Sequence, residues 1–170
     1  MSWRDDKSWS DRFLPEIKAI IGMHLIGEIE EEDQERNTDL VVLKLDAVRV
    51  ACRIRRHRYL DGYADEFTIR AGRPSGVKTE LTKIIEGWGD YIFYGFSDEA
   101  EEHLARWFLG DLCVVRLWIN RSLVGNQGRL PGRLMSNCDG SSEFLALKVS
   151  DLPLDFIKAN GGGAGCGDWK

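Results

Sequence analysis

Long apolar runs, paired cysteines and nucleotide-binding signatures are all missing from these 170 residues, and each absence removes a class of function. No stretch of about 18 or more apolar residues occurs, so no membrane-spanning helix is expected. The opening Met1-Ser-Trp-Arg-Asp-Asp-Lys lacks the charged-then-apolar layout of a secretory signal. Cys52, Cys113, Cys138 and Cys166 stand far apart with no Cys-x-x-Cys pair, and no histidine cluster has metal-ligand spacing. Cys52 and Cys113, each inside an apolar run, read as small buried apolar groups. These features together predict a soluble protein of a reducing compartment, the cytoplasm, with no membrane partner. Gly125-Asn-Gln-Gly-Arg lacks the Gly-Lys-Ser/Thr ending of a phosphate-binding loop, which leaves nucleotide hydrolysis without support. There is no Gly-x-Ser-x-Gly elbow, no internal repeat and no sustained heptad pattern.

What is present is globular. Apolar residues make up 43% and charged residues 30%, a composition that argues against wholesale disorder. A chain this long buries about 70% of its unfolded surface, so it needs neither disulfides nor metal to fold. The length fits one domain, taken here as 1–159, followed by a flexible glycine-rich tail over 160–170. A net charge of −5 argues against a uniformly basic coat. That average hides an asymmetry. Residues 25–40 carry seven acids against Arg36 alone, a local −6, whereas 49–83 carry nine bases against four acids, a local +5.

Hydrophobic periodicity gives the elements. Phe13, Leu14, Ile17, Ile20 and Ile21 recur at helical spacing over 11–21, with Ser10 as N-cap and Gly22 as stop. Residues 39–45 read as a strand, and 49–56 as a second strand joined to it in a hairpin through Asp46-Ala47. On that second strand Val48, Val50, Cys52 and Ile54 share one face, and Arg49, Ala51, Arg53 and Arg55 the other. Strands follow over 66–71, 91–96 and 113–119, with helices over 79–88 and, capped by Ser97, through Leu109. The stretch 120–142 is turn-rich and carries Arg121, Arg129 and Arg133. A last strand over 144–149 and a helical turn over 154–158 complete the pattern. A strand–helix–strand unit after a hairpin implies an α/β (α+β) fold, a mixed central sheet flanked by helices.

The charge asymmetry carries the chemistry. Tyr59, Tyr63 and Phe67 are interleaved with the arginines of the basic stretch, and the acidic stretch lies just before it. Arginines hold backbone phosphates, and carboxylates hold a divalent cation against a scissile phosphate. In order of elements, roughly 10–120 resembles the PD-(D/E)XK nuclease-like superfamily: a helix with an acid at Glu16, a strand opening with Asp39, then a partnered strand, helix and strand. The whole chain also has the look of a phage or prophage protein. No Pro precedes Asp39, and Arg53-Ile-Arg55 stands where the superfamily has Glu-x-Lys. An arginine cannot ligate a metal, so the carboxylate would have to come from the next strand at Glu66. The resemblance implies a restriction-endonuclease-like core. In an active enzyme Glu16, Asp39 and Glu66 would bind Mg²⁺ or Mn²⁺, and Lys83 would orient the attacking water. Arg53, Arg55, Arg56, Arg58, Arg70 and Arg73 would grip the DNA backbone.

Three functional readings follow. The first is a metal-dependent deoxyribonuclease. The second is a catalytically silent scaffold that binds nucleic acid through its basic face, or imitates DNA through its acidic stretch against a host protein. The third is a subunit whose polar faces build a homodimer. Independently of these, Trp88-Gly-Asp-Tyr-Ile-Phe-Tyr-Gly reads either as a buried strand entered through a glycine turn or as offering Trp88 or Tyr94 as a platform for an exposed base.

Overall fold

The computed structural model describes residues 3–27, 41–42 and 48–162. The chain forms two compact units, Met1–Val48 and Arg49–Lys170.

In the first unit, helix α1 (Trp3–Asp11) is followed by α2 (Leu14–Leu25). The expected single helix over 11–21 is therefore interrupted at Arg12-Phe13, and α2 continues past Gly22. Pro15 accounts for the break. In an uninterrupted helix its ring would meet the carbonyl of residue 11, whereas in the first turn of a new helix its missing N–H costs nothing. The Phe13 N–H donates to Ser10 O at 3.2 Å, closing the turn. Strand β1 (Ile26–Gly27) pairs antiparallel with β2 (Val41–Val42). Asp39 and most of the strand expected around it lie outside the described residues.

The second unit holds two sheets. Its elements are β3 (Val50–Arg55), a 3₁₀ turn (His57–Tyr59), the helical turn α3 (Leu60–Tyr63), β4 (Glu66–Gly72) and α4 (Glu80–Ile85). Then come β5 (Tyr91–Ser97), β6 (Leu104–Asp111), α5 (Leu112–Gly125), β7 (Arg133–Ser136), β8 (Glu143–Lys148) and β9 (Ile157–Gly162). One sheet has the order β3-β5-β6-β9, with β3 parallel to β5 and the other pairs antiparallel; the second has the order β4-β8-β7, all antiparallel. The mixed α+β content is as expected. Among the described residues β2 pairs with β1 and β3 pairs with β5; most of the 39–45 half of the expected hairpin lies outside them.

Two assignments are exchanged. The residues read as a helix from Ser97 to Leu109 make a tight loop and then β6, while 113–119, read as a strand, is the first half of α5. The loop is set by Asp98, whose Oδ1 accepts the N–H groups of Glu102 at 2.8 Å and His103 at 3.2 Å, turning the chain back onto β5. Helix α5 starts where Asp111 accepts from the N–H groups of Cys113 and Val114, and it buries Leu112, Val115 and Ile119, one helical stripe. Cys113 and Cys52 are exposed, contrary to the buried role expected of them. Part of the 120–142 stretch is regular, as the end of α5 and as β7. The helical turn expected over 154–158 gives way to β9, which takes in residues 160–162 of the expected tail.

The core of this unit is aromatic. Phe67 of β4 meets Tyr94 of β5 edge-on at 5.4 Å and Phe108 of β6 at 5.9 Å, and Phe156 closes on Phe108 at 5.5 Å. Each such buried ring contributes about 2–3 kcal/mol. Gly110 leaves the space that Phe156 fills, since a Cβ there would lie 2.5 Å from the ring. Among the described residues no helix is long and apolar enough to cross a membrane.

Candidate functional site

The two sheets part at their edge strands, β3 and β4, and the split holds a cleft of about 290 Å³. Ile69, Ile84, Ile92 and Leu112 make its apolar wall, and the outer edge of β3 from Arg49 to Arg53 makes its rim. Among the described residues no strand pairs with that edge, which leaves its backbone N–H and C=O groups along the rim.

Helix α4 positions the charged side of the cleft. Thr79 is its N-cap, accepting the Thr82 N–H at 3.4 Å and donating to Ala71 O at 3.3 Å, which ties the helix start to the edge of β4. Glu80 follows. Its Oε2 accepts the Arg70 N–H of β4 at 2.9 Å and Nη1 of Arg53 on β3 at 2.5 Å, so one carboxylate bridges the two sheets. Lys83, one turn further on, also faces the cleft. The helix ends in a Schellman motif: Gly87 N–H donates to Ile84 O at 3.1 Å and Trp88 N–H to Lys83 O at 2.9 Å, with Gly87 at φ +92°. Arg116 of α5 secures the same end, donating to Ile84 O at 2.5 Å and Gly89 O at 3.3 Å. This turn lifts Trp88 off the helix and leaves it 60% exposed at the mouth of the cleft. The helix expected over 79–88 thus ends three residues early, at Ile85.

At the other end of the rim Asp90 Oδ2 accepts the Arg49 N–H at 2.8 Å and Nε at 3.3 Å. The Arg49 N–H first, and its guanidinium second, hold the Asp90 pKa below the ordinary carboxylate range. Cys52 is exposed on the same strand, yet its neighbours desolvate the thiol enough to push its pKa up.

The other residues singled out by sequence are distributed as follows. Arg53 and Lys83 meet in the cleft. Arg55 lies beyond it, its guanidinium 4.7 Å from the Tyr59 ring, 5.3 Å from Tyr63 and 5.7 Å from Phe96, a cation–π position that takes it away from solvent phosphates. Arg56 Nη1 donates to both carboxylate oxygens of Glu101, at 2.8 and 2.6 Å, and Arg58 packs over Tyr59. Arg70 sits on β4 and Arg73 is exposed in the loop after it. Glu66 opens β4 with its carboxylate held by Arg133 of β7. Glu16 is in the first turn of α2, in the other unit, and Asp39 is outside the described residues. Among those residues no group of three or more His, Cys, Asp or Glu is placed to hold a metal ion. Sequence reasoning missed Glu80 and the pairing of Arg49 with Asp90, because both join residues far apart in the chain.

The chain matches no family model, no curated protein and no solved structure.

Proposed function

We propose that the protein binds single-stranded nucleic acid at the cleft, with a base stacked on Trp88 and the adjoining phosphate on Lys83. The observation that carries this reading is the exposed tryptophan held by a Schellman turn beside a lysine, at the mouth of an apolar cleft. An aromatic platform next to a cation is the recurring device for sequence-tolerant binding of unpaired bases. Among the described residues no strand pairs with the outer edge of β3, whose backbone donors and acceptors would serve a base edge. This reading is the binding-scaffold form of the nucleic-acid functions expected from the sequence, in a cytoplasmic protein of phage type.

The test is anisotropy titration of labelled single-stranded and duplex DNA against wild type, Trp88→Ala and Trp88→Phe. Loss of the stack is worth about 1–3 kcal/mol, so Trp88→Ala should bind about 5- to 150-fold more weakly, with Trp88→Phe close to wild type. Equal affinity of Trp88→Ala and wild type sinks the reading. Parallel incubations with Mg²⁺, Mn²⁺ and EDTA test the alternative. Metal-dependent cleavage lost in Asp39→Ala would replace simple binding by nuclease action on a restriction-endonuclease-like core.

A further inference from the structure

We infer that Glu80 holds the cleft to one uncompensated cation, so that the site takes a single phosphodiester and turns away more highly charged phosphates. The inference rests on the cleft being a nucleic-acid site.

Three cations line the cleft: Arg49, Arg53 and Lys83. Arg49 is paired with Asp90 through both its backbone and its side chain. Arg53, with 26% of its side chain exposed, is paired with Glu80 at 2.5 Å. Lys83 is exposed and has no acidic partner among the described residues. Glu80 is not free to leave Arg53. Its carboxylate is also held by the Arg70 N–H, and the start of its helix is pinned to β4 through Thr79. Among the described residues that line the cleft, pairing thus leaves one positive charge over, on Lys83. A bridging phosphodiester carries one negative charge and matches it. A terminal phosphate or a polyphosphate carries two or more, and brings the excess towards the Glu80 carboxylate. Size agrees, since about 290 Å³ lies at the small end of ligand sites, which run from about 300 to 1,000 Å³. The ligand class is therefore an internal nucleotide of a strand, and Glu80 is its specificity-determining residue.

The salt dependence of binding reads the number of cations engaged, at about 0.7 in the log–log slope per phosphate for a single strand. A labelled thymidine trinucleotide keeps the contact local. Between 50 and 200 mM salt the wild type should lose about 2.6-fold in affinity, Glu80→Gln, which frees Arg53, about 7-fold, and the double variant Arg53→Gln/Glu80→Gln about 2.6-fold again. Glu80→Gln should also bind more tightly than wild type at 50 mM salt, and inorganic triphosphate should compete for it but not for wild type. Lys83→Gln, which leaves Glu80 untouched, should bring the slope close to zero. If wild type binds but Glu80→Gln has its slope and affinity, or if Lys83→Gln keeps the wild-type slope, the inference is wrong while the Trp88 site stands. If wild type binds no strand at all, both fall together.

Discussion

Tyr94 and Thr68 share one hydrogen bond at the centre of the second unit, and it joins the two sheets. Tyr94 belongs to β5 and Thr68 to β4; their hydroxyls are 3.1 Å apart, with Tyr94 0% and Thr68 3% exposed. Tyr94→Phe removes one hydroxyl and strands the other in a site closed to bulk solvent. The cost of an orphaned buried hydroxyl is about 1–3 kcal/mol. Thr68→Val does the converse, stranding the phenol at a similar cost while keeping the β-branched shape the strand favours. The double variant strands nothing, since two apolar groups of the same shape replace the pair, and it should lie within about 1 kcal/mol of wild type. The expected coupling energy is therefore about 1–6 kcal/mol, the sum of the two single losses less the small loss of the double variant, and of opposite sign to the single losses. Urea unfolding of the full chain, followed by far-ultraviolet circular dichroism at constant m, measures all four corners of the cycle. The reasoning is refuted if the double variant loses the sum of the single losses, leaving a coupling below about 0.5 kcal/mol.

Two further outcomes follow from local contacts. Asp111→Ala removes the N-cap of α5, with its bonds to the N–H groups of Cys113 and Val114, and should lower the urea-derived stability by about 1 kcal/mol, most of it recovered in Asp111→Asn. For Asp90, the folded pKa lies below the ordinary carboxylate value because of the Arg49 N–H and then its guanidinium. The unfolded chain therefore takes up this proton at a higher pH than the folded one. The stability it gives is complete above the unfolded pKa of about 4 and is lost as pH falls through the folded value. Asp90→Asn should flatten the acid limb of the curve of urea midpoint against pH; an unchanged limb shows that Asp90 does not contribute to it.

Much of the second unit is legible in the sequence. Phe67, Ile69 and the glycine-bounded Tyr91–Phe96 run announce β4 and β5, and Thr79 with Leu81 and Ile84 announces α4. The exchange of β6 and α5 shows where local preference misleads. Leu104-Ala-Arg-Trp-Phe-Leu is built mostly of good helix formers, and Cys113-Val-Val-Arg-Leu-Trp-Ile looks like a strand. Tertiary context decides otherwise: Phe93 stacks on Trp107 at 5.3 Å across the β5–β6 pair, and Leu112, Val115 and Ile119 face the core at helical spacing. The site was half visible. Arg53, Lys83 and Trp88 stand out by type, whereas the acids that cancel the arginines do not, because Glu80 and Glu101 reach Arg53 and Arg56 only through the fold. A basic stretch in a sequence counts charges before pairing; what a ligand meets is what pairing leaves.

The sheet orders also set a timetable for folding. β5 and β6 are neighbours in sequence and in space, so this hairpin closes a short loop and forms early. β4 cannot pair until β8 has been made, and the four-stranded sheet stays one strand short until β9 follows. During synthesis the hairpin therefore has to persist with its apolar face uncovered, and among the described strands the parallel strand β3 pairs with β5 alone. Such long-range pairing is slow and exposes strand edges while it waits. The cleft, whose rim is β3 and whose far wall is β4, is thus among the last features to take shape on a newly made chain.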